Sequence, residues 1–340
     1  MAVILPIASL ILLVLIGSKL FHYRREALLA ALMAWALIVT VLTEVLSLVG
    51  GLTAILLTLA WLAVTAGLAF FLWQAYGPRL LKAAPHHWFS PNAFIDLPVT
   101  LKLSTWLLTR ALLAIGATAV IAAPNHSDSM EYHLSRVMHW IQNGSVAHYP
   151  SHNIFQLYQN PWSEFAIAHL QILSHSDRFS GSVQWVSMLG SMFGTSLIAK
   201  ELGARRNGQI LAGIFATTMP MAVLQGSSTN NDHVVALWMV CFVYFALVTM
   251  RQGIRPLPVV CLGASLGLAI LTKGTAYIYA FPFCLWLLLW GIKRLGWQMV
   301  KPMVGIMAIV IAINAGHYLR NFGLFGSPLG SPGDDTGAAF

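Results

Sequence analysis

Two carboxylates three residues apart, Asp128 and Glu131, and two widely separated cations, Lys273 and Arg320, are the residues of this chain best suited to chemistry. A carboxylate can take a proton from an attacking hydroxyl, and Lys or Arg can neutralise charge that develops on a departing phosphate. His133 and Arg136 follow the two acids, and Glu164 and the polar run 225–232, which ends in Asn231 and Asp232, add groups that can bind hydroxyls. Each residue also has an ordinary explanation. Asp128 and Asp232 are favoured helix N-caps, Lys273 in a short turn can snorkel, and Arg320 stands at a helix exit, where interfacial anchors are common. Arg136 has the spacing to pair with Tyr132 or with a carboxylate on its own helix.

The two acids lie in residues 125–162, a polar, histidine-rich and aromatic segment inside an otherwise apolar sequence. There Met130, Leu134, Val137, Met138 and Ile141 fall on one face of a helix. Asp128, Glu131, Tyr132, Ser135 and His139 fall on another, and Asn143 with Gly144 supplies a stop. Such a helix is too polar to cross a bilayer and too apolar on one side to float free. The expectation is a helix at the membrane interface with its carboxylates turned toward a cavity. His126, His133, His139, His148 and His152 crowd the segment, yet none belongs to an H-E-x-x-H motif, so metal binding stays unassigned.

Composition sets the frame for this segment. The chain is 58% hydrophobic and only 9% charged, with several apolar runs of spanning length, which excludes a soluble globular domain. The runs do not alternate as barrel strands do, so the expected fold is all-α, a multi-pass transmembrane bundle of about ten spans. Cys241, Cys261 and Cys284 all fall within apolar runs and read as packing residues. The net charge of +8 invites a nucleic-acid partner, but the placement of the charges argues against one.

The expected spans are residues 2–15, 27–49, 52–73, 106–123, 179–198, 210–224, 233–250, 259–271, 276–290 and 303–319. The second and third form a tight hairpin across Gly50 and Gly51. Arg79, Lys82 and Lys102 mark a cytoplasmic segment in which Pro78, Pro85, Pro91 and Pro98 discourage a long helix. With the first terminus outside, every Lys and Arg except Arg136, Arg178, Lys273 and Arg320 falls on the cytoplasmic side, as the positive-inside rule requires. Most carboxylates fall on the other side, with Glu44 near the outer end of its span, although acids contribute little to orientation. Asp128 with Glu131, the run 225–232, Lys273 and Arg320 therefore all emerge on one outer face. Their convergence is more telling than any one of them.

Several ordered motifs resemble a known class. The run DSMEYHLSRVMHWIQNGSVAHYP, then NPWSEF, LQGSSTNNDHV, LTKGTAY and YLRNFGLFGSPLG, is similar to the polytopic GT-C glycosyltransferases, which include protein O-mannosyltransferases and aminoarabinose transferases of lipid A. The resemblance covers residues 106–330. It implies a sugar donor carried on polyprenyl phosphate, an acidic residue in the first large external loop, and transfer to a hydroxyl acceptor on the non-cytoplasmic side. Asp128 matches the first-loop acid, Asp232 a second acidic motif, and Lys273 and Arg320 basic positions near the lipid phosphate.

The expected organisation is an N-terminal part, 1–103, a GT-C-like membrane core, 104–330, containing the external loop 124–178, and an external tail, 331–340. The N-terminal spans are an addition to the family pattern, and the chain ends where such enzymes usually continue, so a shortened member or remnant is one alternative. In the leading reading Asp128 is the general base of an inverting transfer with Glu131 orienting the acceptor. His133, Arg136, Glu164, Asn231 and Asp232 contact substrate, and Lys273 and Arg320 hold the phosphate. Glu164, Asp232 and Asn231 would bind substrate hydroxyls or a divalent cation. The partners expected are a polyprenyl-phosphate sugar, a glycan, lipid or protein hydroxyl, and membrane lipids, at a bacterial inner membrane. A transporter or lipid flippase is the rival, although no internal repeat supports it.

Overall fold

The computed structural model describes residues 2–77 and 96–330. The expected cytoplasmic segment around Arg79 and Lys82, with Pro78, Pro85 and Pro91, and the tail 331–340 lie outside the described residues. Those described are helical or irregular, with no strand among them.

The order is α1 (Ile4–Leu20), α2 (Arg24–Ser47), α3 (Ala54–Tyr76), α4 (Val99–Ile121), a π-helical turn (Ser129–His133) running into α5 (Leu134–Asn143), a one-turn α6 (Phe155–Tyr158), and α7 (Trp162–Ser174). Then come α8 (Ser182–Glu201), α9 (Arg206–Thr218), the short α10 (Pro220–Gln225), α11 (Asp232–Gln252), α12 (Pro256–Thr272), α13 (Ala276–Leu295) and α14 (Val300–Phe325).

Five stretches are long and apolar enough to cross a membrane: α2, α3, α4, α11, and the stretch containing α13 and α14. The helices α1 and α12 are apolar but shorter. The expected span 210–224 is broken, because Pro220 forces Met219 out of helical geometry (ψ 135°) and α10 starts afresh.

Burial separates centre from periphery. In α11 67% of the apolar window is buried against 17% in α3, so α11 is the axis of the bundle and α3 lies at its edge. One hydrophobic cluster joins Trp61 of α3, Trp162 and Phe165 of α7, Trp238 and Phe242 of α11, and Ile313 of α14. The N-terminal helices thus share a core with the rest. Small residues let the helices approach: a Cβ on Gly194 of α8 would lie 2.3 Å from Val240 of α11, and one on Gly267 of α12 2.7 Å from Ile313 of α14.

The α7 helix is keyed into α2 and α3 by a buried histidine. Trp61 Nε1 donates to His169 Nδ1 at 3.1 Å, which leaves the ring proton on Nε2. That nitrogen donates to Thr43 Oγ1 at 2.9 Å, and the Thr43 hydroxyl donates in turn to the Val39 carbonyl at 2.8 Å.

The ends of the bundle differ in charge. Arg25 at the start of α2 bonds Ser196 of α8 and Gln209 of α9, and Arg251 of α11 bonds Glu201 of α8, so the junctions α1/α2, α8/α9 and α11/α12 meet at one basic end. The last turns of α2, the segment 125–162, the start of α11 and the end of α12 meet at the other.

Candidate active site at one end of the bundle

The segment carrying Asp128 is fixed at its far end by a hairpin tip. Gly144 ends α5 in the left-handed region (φ 63°), as its position after Asn143 predicts, and its carbonyl accepts the Leu52 amide at 2.9 Å. A Cβ at Gly144 would lie 2.5 Å from the Gly50 carbonyl oxygen, so glycine is required here for close approach as well. Ser47 at the end of α2 adds a second tie, accepting the Val146 amide at 2.9 Å.

The face that this segment buries matches its apolar residues only in part. Leu134 and Val137 are buried and Ile141 packs against the core, but Met130 and Met138 are exposed, while Ser129, His133, Arg136 and Trp140 are buried as well. Two causes combine. The π-turn 129–133 changes the helical phase before α5 begins, and polar residues are drawn inward because a buried acid meets them there.

That acid is Glu164, in the first turn of α7 and 0% exposed. His133 Nδ1 stands 2.7 Å from Glu164 Oε1, and Arg136 approaches the same oxygen at 3.4 Å. The rest of the Arg136 guanidinium donates to the backbone carbonyls of Gln156 (2.6 Å), Phe155 (2.8 Å) and Gln159 (3.0 Å). The residue expected to pair on its own helix instead stitches α6 and its exit to α5 and α7. Burial pushes the Glu164 carboxyl up, but His133 and Arg136 more than reverse this and hold it below its ordinary value. His133 Nε2 and Glu164 Oε2 meet no hydrogen-bond partner.

One turn before this network lie the more accessible acids. Asp128 is half-buried, Glu131 is exposed, and Asp128 makes no capping bond with its side chain. Asn231 is buried, its amide donating to the Thr272 carbonyl at 3.1 Å. Asp232 heads α11 without capping it and instead accepts from Lys273 Nζ at 2.6 Å, which joins the start of α11 to the end of α12. Asn230 beside it accepts from Ser129 Oγ at 3.5 Å. Tyr132 lies within the electrostatic field of these groups. Burial first, then the charges of Glu164, Asp128 and Asp232, push its phenol well above its ordinary value, so it is a neutral hydroxyl among three acids.

Arg320 near the end of α14 reaches a different acid. Its two terminal nitrogens donate to Glu44 of α2 at 2.6 and 2.8 Å. His148 lies in the same region: burial, then Arg320 and Arg136, lower its pKa to about 4. Sequence spacing does not show Glu44 as the partner of Arg320. Only the outward position of Glu44 in its span hints at it.

No group of three metal-ligating side chains occurs among the described residues. Asp232 is taken by Lys273 and Glu164 by His133 and Arg136, so the set Glu164, Asn231 and Asp232 does not fit a divalent cation.

An all-helical membrane bundle with acids and cations from α2, the loop, α11, α12 and α14 gathered at one end defines a polytopic protein with a polar site at one membrane face. Residues 161–318 match the family model described as dolichyl-phosphate-mannose-protein mannosyltransferase. The match supports the class that the motifs resemble, the GT-C glycosyltransferases. Glu164, Asn231, Asp232 and Lys273 lie inside the matched segment, whereas Asp128, Glu131, His133, Arg136 and Arg320 lie outside it. No curated protein and no solved structure matches the chain.

Proposed function

We propose that this protein transfers a sugar from a polyprenyl-phosphate donor to a hydroxyl acceptor at the extracytoplasmic face of a bacterial cytoplasmic membrane. In this reading about ten segments cross the bilayer, the basic end lies inside, and α5 rests at the outer interface. The observation that carries it is the meeting at one end of the bundle of the turn bearing Asp128 with the start of α11 and the end of α12, through Ser129 to Asn230 and Lys273 to Asp232.

Asp128 is the base. It is half-buried yet has no hydrogen-bond or ion-pair partner among the described residues, so its carboxylate is free to take the acceptor's proton as the oxygen attacks the anomeric carbon. The bond from that carbon to the phosphate oxygen breaks, the polyprenyl phosphate leaves with the electron pair, and the configuration inverts. Glu131, exposed beside it, orients the acceptor.

Lys273 and Arg320 neutralise the leaving phosphate, each already oriented by a carboxylate, Asp232 and Glu44 respectively. Asn231 and Asp232 contact the sugar. Because His133, Arg136 and Glu164 are enclosed, they act as positioning residues that hold the loop bearing Asp128.

The test is turnover of a panel of labelled polyprenyl-phosphate sugars by the purified protein in lipid, with Asp128→Asn beside wild type. Sugar transfer or release that collapses in the variant supports the reading. Turnover unchanged in the variant removes Asp128 as the base, and no turnover with any donor and acceptor offered removes the activity.

A further inference from the structure

About 28 Å along α2 from Glu44, by the rise of 1.5 Å per residue, Arg25 stands at the opposite end of the bundle. Beside it a groove of about 310 Å³ opens between α4, α8 and α9. Its walls are apolar, formed by Leu108 and Leu112 of α4, Met192 of α8, and Ile210 and Ile214 of α9. Its flanks are apolar too, since Trp106 and Leu113 of α4 and Leu211 of α9 are exposed. The groove therefore opens sideways, toward hydrocarbon.

The polar end has only one sign of charge. Arg25 and Arg206 line it with Ser196 and Gln209, and among the described residues no carboxylate does. Arg25 bonds only neutral partners there, Ser196 Oγ at 2.5 Å and Gln209 Oε1 at 2.9 Å. Arg206 has no hydrogen-bond or ion-pair partner among the described residues, and its Nε is shielded from solvent. The guanidinium of Arg206 is half-buried and has no counter-ion among the described residues, so an anion supplied from outside can pair with it. An apolar trough capped by two arginines at the edge of the hydrocarbon layer matches a molecule with an acyl chain and an anionic head.

We propose that this groove binds an anionic glycerophospholipid of the leaflet at the basic end, its phosphate held by Arg206 and Arg25 and one acyl chain lying along α4. The site is separate from the acidic end and independent of the transfer reaction. A free phosphate would share the arginines but gain nothing from the wall.

The test is native mass spectrometry of the full-length protein released from detergent with phosphatidylglycerol or phosphatidylcholine of identical chains. Wild type should retain phosphatidylglycerol about tenfold better, because both lipids offer the same phosphate but the choline ammonium of phosphatidylcholine is repelled by the two guanidiniums, an effect on the order of 1–2 kcal/mol near a protein surface. Arg206→Gln, which breaks no observed contact, should bring the two lipids toward parity. Thr109→Trp, which fills the trough from an exposed position, should weaken both. Inorganic phosphate should not displace the lipid. Equal retention of the two lipids by wild type, or an undiminished preference in Arg206→Gln, overturns the proposal. Displacement by inorganic phosphate together with indifference to Thr109→Trp does so as well, and identifies a free-anion site.

Discussion

Arg320 grips Glu44 with two parallel hydrogen bonds, 2.6 and 2.8 Å, directly over Gly316, where a Cβ would lie 2.5 Å from the carboxylate. The bidentate geometry and partial burial should make the pair worth about 1–2 kcal/mol in a double-mutant cycle of Glu44→Gln and Arg320→Gln, read by denaturation in detergent. Gly316→Ala should reproduce most of the Glu44→Gln loss by pushing the carboxylate aside. Additive single-variant effects would show that the two side chains are not coupled.

Arg136 is enclosed and bonds three backbone carbonyls as well as Glu164. Replacing it by Met leaves Glu164 as a poorly compensated buried charge, at a cost of about 3–5 kcal/mol. Lys, with one nitrogen, cannot reach acceptors spread around a planar fork and should recover little. A Lys variant as stable as wild type in thermal unfolding would show that charge alone matters at this position.

Two groups of the polar end contribute to the pH dependence of stability. His148, lowered from 6.5 to about 4, stays neutral in the folded protein while the unfolded chain takes up a proton. Its contribution is whole above pH 6.5 and is lost as pH falls toward about 4. Glu164, held below its ordinary value, contributes fully above the unfolded carboxylate pKa of about 4.3 and loses this only at still lower pH. Melting temperatures recorded from pH 7 downward should therefore fall in two stages. His148→Gln should shrink the first and leave the second; an unchanged first stage would assign it to other groups.

Asp128→Asn should cut transfer by about 10²–10⁴-fold, the usual worth of a general base, with a melting temperature close to wild type because no partner is lost. Lys273→Met should lower transfer and also loosen the contact between α11 and α12 made through Asp232. Equal loss of melting temperature in both variants would indicate that Asp128 supports structure rather than chemistry.

The membrane bundle and the gathering of polar groups at one end were readable because hydropathy and charge are written along the chain and helices have a fixed rise. Gly144 was readable for a similar local reason: Asn143 before it and a change of periodicity after it announce a helix end. The apolar side of α5 was readable at Leu134 and Val137, but the burial of His133 and Arg136 was not, since Glu164, which they meet, lies 31 and 28 residues away in sequence. Nor was the pairing of Arg320 with Glu44, 276 residues apart, which depends on helix neighbours that periodicity does not specify.

The histidine of α7 carries a consequence for modularity. His169 lies within the stretch that matches the family, yet both of its ring nitrogens are committed to residues outside it, Trp61 and Thr43. Transplanted into another scaffold, that stretch would arrive with a buried imidazole bereft of both partners. The packing unit of this protein is therefore wider than the matched segment and takes in α2 and α3.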